Sequence, residues 1–455
     1  MTRPLSSALI LLAAALTGAT LVGCGSDGLC DAADLTDALA AAHVGDTVTV
    51  GECEVRGSFT VPAGVTLTGA GSTSRLVASG GPAVLLTPGR EASTLSHLAI
   101  RSAEASGVFA DGRGAVAIRN VRIDASKGVA LRLESLGAAT VADVTLVGPV
   151  TREVAASLSP MPDSADIATH GLVVIDSTFV AFERVNVSGF ARFGALSMNS
   201  TVTWEGGGAS DTLGVGFMAQ GGSATVRDAQ FCRVYAGLRP YPAYGVVLTG
   251  SASGTTERVT LCDNEGYGLL QNGGIGAHTD LVGTANREPA VWVQASSDFA
   301  LSGAGTVLSD NALAGLVVVD STNVRISDAE IDGSSLATRI VDGGSVRVGD
   351  GVHLVVEDAA AVTLTNVTLS NNTRAGLLLD FLTGTPDGMD LRSVTVDGTG
   401  DALGAIAQDG GGLLPSGAWD RNITRGGATV ANDAALVGRL SVVGIVGPMF
   451  LPVAL

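Results

Sequence analysis

The sequence predicts an all-β solenoid, a fold in which short strands wind into coils and each coil stacks on the coil before it. Glycine-led apolar runs recur about every 21 to 24 residues over much of the chain. These runs are too short for the strands of a sandwich, and no amphipathic helix separates them. The 455 residues include 62 glycines and only 4% aromatic residues. This composition favours many tight turns around a narrow core of small side chains.

The repeat is clearest in two segments of nearly the same sequence. "GLVVIDSTFVAFERVNVSGF" begins at Gly171 and "GLVVVDSTNVRISDAEIDGS" begins at Gly315, 144 residues later, which is six units of 24. Five further units begin between them, at Gly194, Gly216, Gly245, Gly268 and Val291. Each unit contains two or three short alternating runs. We therefore expect about three strands per coil, each paired in parallel with its equivalent one unit later.

The first residues predict export rather than a part of the fold. Arg3 precedes an apolar run of signal-peptide length that ends in small residues. Residues 21–24, "LVGC", resemble the lipobox of bacterial lipoproteins, whose cysteine carries lipid. We predict a signal peptide at 1–23, a lipid anchor on Cys24 with a tether over 24–34, and a location in the cell envelope, which is the outer membrane or cell surface if the cell is Gram-negative. The alternative is an ordinary secretory signal with a chance cysteine.

The start of the predicted solenoid carries a family resemblance. Residues 35–71 contain a short amphipathic segment, then "GDTV", then "VPAGVTLTGAG". This order is similar to the beginning of right-handed parallel β-helix proteins of the pectin-lyase-like superfamily. The resemblance implies a single-stranded right-handed parallel β-helix over 35–455, with an N-terminal helix that caps the open end of the core. Insertions are expected near 148–170 and 238–244, and the repeat weakens over 402–455.

Four cysteines follow Cys24, and the repeat indicates which two of them occupy equivalent positions. Cys232 and Cys262 follow the leading glycines of their units by 16 and 17 residues, so they occupy equivalent places on adjacent coils. Stacked strands lie about 4.8 Å apart, which suits a disulfide. We expect these two to be bonded, which leaves Cys30 and Cys53 to pair. Zinc binding is the alternative, but the close CxxC pairs of zinc sites are missing.

Asparagine or aspartate precedes the glycine that ends a turn in several units, as in "CDNEGYG", "SDNALAG" and "SNNTRAG". Asn tolerates left-handed backbone geometry and can bond to the equivalent Asn of the next coil, so we expect ladders of this residue. The alternative is a Ca²⁺ site in a column formed by Asp263, Asn286 and Asp310. No other cofactor or metal is expected.

Motifs for catalysis are missing. The resemblance implies a calcium-binding acidic cluster with an Arg or Lys base for lyases, or paired Asp residues with a nearby His-Gly or Arg-Ile-Lys element for hydrolases. The sequence contains no "NTD", "DD", "GHG" or "RIK". Arg233, Arg239 and Arg287 remain alternatives for the catalytic arginine of a lyase. His170 and His353 flank predicted apolar strands, so we expect both residues to lie at turns or at the rim. The five histidines fall in different units: His43, His97, His170, His278 and His353.

The aromatic residues give a clue to binding. All four tyrosines fall within 33 residues of one another. Sugar rings stack on aromatic planes while Asp, Asn and Arg bond their hydroxyls. The alternative is that the tyrosines pack the 238–244 insertion onto the side of the helix. The 148–170 insertion is expected to fold over the same face. The predicted glycan surface consists of Tyr235, Arg239, Tyr241, Tyr244, Asp263 and Tyr267.

Two functions follow from these patterns. The formal net charge of −18 disfavours nucleic acid as a partner. The first function is a non-catalytic surface protein, held at the membrane by lipid on Cys24, that presents one flank to a polysaccharide or an envelope protein. The alternative is a polysaccharide lyase or glycoside hydrolase. The fold does not decide between them, because β-helices host many chemistries.

Overall fold

The structure, a computed structural model, describes residues 28–429 except for 79, 104, 158–166, 237–242, 251, 342–343, 357–360, 382–387, 398–403, 410–423 and 426–427. The predicted signal peptide, Cys24, Arg239 and Tyr241 therefore lie outside the described residues. The described part is a right-handed parallel β-helix, as the sequence predicts.

One helix, Ala32–Ala41 (α1), precedes the first coil. Asp31 caps its N-terminus, where a side-chain oxygen accepts from the backbone N–H of Ala33 at 2.8 Å. Leu35 and Leu39 are buried and belong to the main core. The helix thus covers apolar side chains that the first coil would otherwise expose, which confirms the predicted cap.

The strands follow in chain order. The first ones are Thr47–Thr49 (β1), Glu54–Gly57 (β2), Phe59–Val61 (β3), Thr66–Ala78 (β4), Val84–Leu86 (β5), Ser93–Ser102 (β6), Val108–Asp111 (β7), Ala115–Ala125 (β8), Gly128–Glu134 (β9), Ala138–Ala142 (β10) and Thr145–Val147 (β11). The helix Arg152–Ser157 (α2) comes next. The middle strands are Ala168–Ile175 (β12), Val180–Ser188 (β13), Phe193–Ser210 (β14), Val215–Arg227 (β15), Gln230–Cys232 (β16), Tyr244–Thr249 (β17), Ser253–Glu257 (β18), Thr260–Cys262 (β19), Tyr267–Asn272 (β20), Ile275–Thr279 (β21), Val282–Thr284 (β22), Val291–Gln294 (β23), Asp298–Ser302 (β24) and Thr306–Ser309 (β25). The last ones are Leu313–Val319 (β26), Val324–Asp332 (β27), Ala337–Val341 (β28), Gly344–Val356 (β29), Ala361–Ser370 (β30), Ala375–Phe381 (β31), Gly388–Asp397 (β32), Gly404–Asp409 (β33), Thr424–Arg425 (β34) and Ala428–Thr429 (β35).

These strands form three parallel sheets that run along the axis of the rod. One complete coil passes from β17 in sheet 1 to β18 in sheet 2 and β19 in sheet 3, and the next coil repeats the order with β20, β21 and β22. Sheet 1 extends in this way from β3 to β33. Long strands turn corners between sheets: β15 contributes to sheets 1 and 2, and β14 contributes to all three.

The interior is a continuous column of aliphatic side chains with a few aromatic ones. Sheet 1 contributes Val246 and Leu269 on successive coils, and sheet 3 contributes Leu261. Near the middle, the indole of Trp204 packs against Phe217 and Phe231 with ring centroids 5.6 Å away in each case. Small and β-branched residues suit this narrow space, as the composition indicates.

The corner between sheets 2 and 3 is made by one residue in the left-handed conformation on most coils. Asp228, Arg258 and Asp280 have φ angles of 51°, 53° and 51°. A single such residue bends the chain sharply and lets the next strand begin at once. Asp and Asn tolerate this geometry better than most residues.

A buried ladder of asparagines lies at the turn from sheet 3 back to sheet 1. The amide nitrogen of Asn264 donates to the side-chain oxygen of Asn286 at 2.8 Å. The amide nitrogen of Asn286 donates in turn to Asn311, also at 2.8 Å. All three side chains are buried. The predicted ladder is confirmed, and it leaves the Asn286 side chain enclosed rather than facing a cation.

Both predicted disulfides are present. Cys232 and Cys262 are register partners in sheet 3, with Cα atoms 4.5 Å apart. Cys30 and Cys53 join the segment before α1 to the first coil, with Cα atoms 5.8 Å apart. The first bridge holds two neighbouring rungs together, and the second holds the cap.

A hairpin that the repeat does not predict leaves the ladder corner after Ser334. Strand β28 pairs antiparallel with the first half of β29, whose second half then returns to sheet 1. The ladder continues past this insertion, because the backbone N–H of Ser334 donates to the side chain of Asn372 at 3.1 Å. In the described part of the chain, no helix is long and apolar enough to cross a membrane.

The ladder gives a stability prediction. Replacing Asn286 with Leu removes the side-chain hydrogen bonds that Asn286 makes with Asn264, Asn311 and the Leu261 carbonyl. We expect the free energy of unfolding, measured in urea, to fall by about 2–4 kcal/mol. The control is Asn272→Ala at the half-buried end of β20, which should change stability by less than about 0.5 kcal/mol. Equal effects of the two substitutions would contradict a structural role for the ladder.

Candidate functional site

A shallow groove of about 200 Å³ crosses the outer face of sheet 3. Register places Asn186, Gly208 and Gln230 side by side on successive coils, and Ser188 beside Ser210. These residues and Arg233 line the groove; we call it the sheet 3 groove. Its walls thus offer amide, hydroxyl and guanidinium groups, which are the groups that bond sugar hydroxyls.

The floor of the groove is glycine. Gly208 has a φ of 143°, and a Cβ atom there would lie 1.8 Å from the carbonyl oxygen of Gln230. Only glycine fits such a close approach of two strands. The missing side chain leaves a depression between Asn186 and Gln230, so a ligand could approach the backbone there.

Arg233 stands at the edge of the groove in a fixed position. Its Nε and Nη2 atoms each donate to a carboxylate oxygen of Asp211 at 2.8 Å, and the hydroxyl of Tyr235 donates to the same carboxylate at 2.9 Å. These bonds, that from Arg233 most of all, lower the pKa of Asp211. Two of the five guanidinium N–H groups are used, so the others can face a ligand.

The described part of the 148–170 insertion approaches the same corner. The guanidinium of Arg152 in α2 lies 5.9 Å from the centre of the Tyr235 ring. The same group lies 3.5 Å from Glu265, and Arg287 lies 3.8 Å from Glu265 on the other side. The ring of Tyr235 is therefore covered by a cation and is not a free plane for a sugar. Burial and the bond to Asp211 raise the pKa of its hydroxyl.

The structure does not gather the six predicted glycan-surface residues in one place. Tyr244 and Tyr267 lie in sheet 1, where their rings stack with centroids 5.3 Å apart and only 2% and 1% of each residue is exposed. Burial of these two rings is a correction to the expectation that they face a glycan. Tyr235 and the exposed Asp263 lie at the corner between sheets 3 and 1. Arg239 and Tyr241 lie outside the described residues.

Tyr244 and Tyr267 belong to a sheet that is apolar and buried on both faces. Its outer face carries one residue per coil in register from β12 to β31, and we call this series the outer column. The members are between 0% and 5% exposed. Runs of consecutive apolar residues such as "GLVVV" are the sequence signal for a strand covered on both faces. The outer column consists of Val173, Leu196, Met218, Val247, Leu270, Trp292, Val317, His353 and Leu378.

A polar cluster interrupts this apolar face near its C-terminal end. The Nε atom of Arg374 donates to Asp350 at 2.8 Å, and its Nη2 atom contacts the second carboxylate oxygen. The Nδ1 atom of His353 lies 3.6 Å from Asp350. All three residues are buried. Sequence spacing alone does not reveal the cluster, because Arg374 comes from the next coil.

Two histidines expected at turns or rims instead lie inside strands of sheet 1. His353 belongs to the outer column, and His170 stacks on Phe193 of the next coil with ring centroids 5.2 Å apart. Burial, with help from Arg192 and Arg132, lowers the pKa of His170 to about 4. Both imidazoles fit there because each presents a flat apolar ring to its neighbours.

No metal site stands out in the described residues. Asp263 and Asp310 lie at the corner with φ angles of 54° each, while the side chain of Asn286 between them is turned into the ladder. No group of three or more His, Cys, Asp or Glu side chains there could hold a metal ion. Calcium binding at Asp263, Asn286 and Asp310 stays a prediction.

Comparisons with known proteins give structural likeness alone. No protein-family model matches the chain, and no curated protein matches it. The A-module of the Azotobacter vinelandii mannuronan C-5 epimerase AlgE4 is 15% identical over 75% of this chain and 91% of its own, with a TM-score of 0.42. The periplasmic alginate epimerase AlgG is 11% identical over 84% of both chains, with a TM-score of 0.39. Tailspike protein 3 of bacteriophage CBA120 is 11% identical over 90% of this chain and 58% of its own, with a TM-score of 0.36.

The pKa of His170 gives a pH prediction. In the unfolded chain the imidazole takes up a proton near its ordinary pKa of 6.5, whereas in the folded protein it resists protonation until about pH 4. The contribution of the neutral imidazole to the free energy of unfolding is therefore lost as the pH falls from 6.5 towards 4. The loss is about 3 kcal/mol in all. We measure the free energy of unfolding in urea between pH 7 and pH 4.5, and we expect it to fall less in the His170→Phe variant than in the original protein.

The control for this measurement is His97→Asn. His97 is exposed at a corner with a φ of 52°, where Asn is well tolerated. This variant should keep the pH dependence of the original protein. A His170→Phe curve parallel to that of the original protein would contradict the assignment.

Proposed function

We propose that the protein is an exported, lipid-anchored β-helix that binds polysaccharide without modifying it, and that the sheet 3 groove is the binding site. The observation that carries the proposal is the row of Asn186, Gln230 and Arg233 beside a floor without side chains. Sugar polymers are recognised by such combinations of amide and guanidinium donors with exposed backbone. The lipobox at residues 21–24 supports the membrane anchor.

The rigidity of the groove favours binding. Apart from Arg233, which directly follows β16, its residues sit on parallel strands, and the disulfide between Cys232 and Cys262 joins two of the rungs beside it. Arg233 is already held by Asp211, so little side-chain freedom is lost when a ligand arrives. A preorganised polar surface of this kind suits a flexible polymer, which must itself lose freedom on binding.

The experiment is retention on a panel of immobilised neutral and uronic-acid polysaccharides. Arg233→Ala should weaken binding of the retained polymer about tenfold, since a hydrogen bond to a charged group contributes about 1.5–3 kcal/mol. Asn186→Ala should weaken it less. Arg325→Ala is the matched control, because Arg325 is 48% exposed, close to the 51% of Arg233, and pairs with Asp298 on sheet 2.

Two results would overturn the proposal. One is that no polymer in the panel is retained by the original protein. The other is that Arg325→Ala weakens retention as much as Arg233→Ala does, which would place the binding surface elsewhere.

The second candidate is a polysaccharide lyase or hydrolase, and the Asp350, His353 and Arg374 cluster favours it. The Asp350 carboxylate bonds to the Arg374 guanidinium and lies 3.6 Å from the His353 imidazole. Groups of these types could remove a proton and stabilise the negative charge that develops on a sugar. The cluster ranks second because 0% to 5% of each residue is exposed, so a substrate does not reach it in this structure.

The two candidates differ in their products. An active lyase would generate unsaturated sugars that absorb in the ultraviolet, a hydrolase would generate reducing ends, and His353→Gln should abolish either, with or without Ca²⁺. His278→Gln is the control, because His278 is buried in the core and bonds to Thr256 and Gln271. Retention of a polymer with no product would reject the second candidate.

A further inference from the structure

A second depression lies on the outer face of sheet 3, nearer to the N-terminal cap than the sheet 3 groove. Its volume is about 230 Å³. Register places Arg75, Ala99 and Arg122 side by side on successive rungs, and Ala99 is the short member of this row. Ala99 therefore forms a floor between two arginines. We call the depression the Ala99 pocket, and its lining consists of Arg75, Ala99, Ile100, Arg101 and Asp124.

Three arginines surround the floor from different sides. Arg75 lies one rung before Ala99 and Arg122 one rung after it, so their Cα atoms are about 10 Å apart at about 4.8 Å for each step. Arg101 follows Ala99 by two residues on β6, which puts both residues on the same face of the strand. A ligand above Ala99 thus has a cationic side chain on three sides.

The charge of this region is opposite to that of the whole chain. Two carboxylates lie among the arginines. Glu54 lies 2.7 Å from Arg56 and 3.7 Å from Arg75. Asp124 lies 2.7 Å from Arg122. The chain has a formal net charge of −18, whereas the outer face of the first four rungs of sheet 3 carries a net charge of +2 from Glu54, Arg56, Arg75, Arg101, Arg122 and Asp124.

Arg101 is the arginine that remains available for a ligand. Its side chain is exposed and makes no ion pair with any residue that the structure describes. In register, Val77 lies beside it on the preceding rung and Asp124 on the following rung. Val77 is apolar, and Asp124 already pairs with Arg122. An anion that enters the pocket therefore meets a guanidinium group whose donors are free.

A phosphate monoester matches this arrangement better than a carboxylate does. At neutral pH it carries a charge of about −1.5 to −2 and has three strong acceptor oxygens. It can balance the net charge of the region and accept hydrogen bonds from guanidinium groups on different sides. A carboxylate carries a single charge on two oxygens in one plane, and one guanidinium fork bonds to both oxygens. It would leave the other arginines unpaired.

The pocket lies in line with the sheet 3 groove. Arg122, Thr145 and Asn186 are neighbours in register on successive rungs, so the edges of the two sites are about 10 Å apart. The volume of about 230 Å³ leaves room for a sugar ring beside a phosphate group. We propose that the Ala99 pocket binds a phosphate monoester on a sugar of the polysaccharide, an inference that rests on the proposed function.

The first measurement uses glucose 6-phosphate as the probe and follows its phosphorus NMR signal during titration with the full chain. Arg101→Ala should weaken binding about tenfold, because a hydrogen bond between charged groups is lost. Ala99→Leu should prevent binding, because the larger side chain fills the floor and leaves every charge in place. Both variants should keep the urea midpoint of the original protein, since Arg101 is exposed and the Ala99 side chain points away from the core.

Arg119→Ala is the matched control. Arg119 is also exposed, makes no ion pair with a described residue and lies on β8, one rung after β6, but it belongs to sheet 2. Its loss removes the same charge and should leave the titration unchanged. Glucuronate replaces the phosphate with a carboxylate, and inorganic phosphate omits the sugar. Each should bind several-fold more weakly than glucose 6-phosphate.

Four results would overturn the proposal. They are no binding of glucose 6-phosphate, an equal loss in Arg119→Ala and Arg101→Ala, glucuronate or inorganic phosphate binding as tightly as the probe, and equal binding to vesicles of phosphatidic acid, which would assign the pocket to a lipid. The groove is tested separately. Polymer retention that Arg233→Ala weakens, together with no binding of glucose 6-phosphate, rejects the pocket and leaves the groove in place.

Discussion

Parallel register between successive coils is the constraint on which the rest of this structure depends. Each strand bonds to the equivalent strand one coil later, so residues about two dozen positions apart become direct neighbours. Where successive coils carry the same residue at equivalent positions, their side chains form a ladder. The bonded asparagines, the bridge between Cys232 and Cys262, and the pairs of Arg233 with Asp211 and of Arg258 with Asp228 are all contacts between adjacent rungs.

Features that depend on register alone could be predicted from the sequence. The glycine-led period fixed which residues stack, and the bridge between Cys232 and Cys262 and the asparagine ladder followed from it without knowledge of any packing. The pair Cys30 and Cys53 followed by elimination, and the cap followed from the resemblance of residues 35–71 to the start of pectin-lyase-like β-helices. The hairpin after Ser334 could not be predicted, since an insertion interrupts the period without leaving a pattern of its own.

Features that depend on what lies outside the coils were predicted less well. Tyr244 and His353 are buried in sheet 1, and the alternation within one strand does not reveal this. The consecutive apolar letters of these strands were the available signal. The sheet 3 groove could not be predicted for a different reason: its floor is glycine and its walls are polar residues scattered over three coils, of types that also occur in ordinary turns.

The ladder that continues past the hairpin bears on how this rod can change over evolutionary time. The chain leaves the stack after Ser334 and resumes it with the rung-to-rung bond to Asn372 intact. Extra residues at that exit therefore leave the bonds between the neighbouring rungs in place. The entropic cost of closing a loop grows only slowly with loop length. New appendages can be acquired, lengthened or lost at this corner while the scaffold beneath is inherited unaltered.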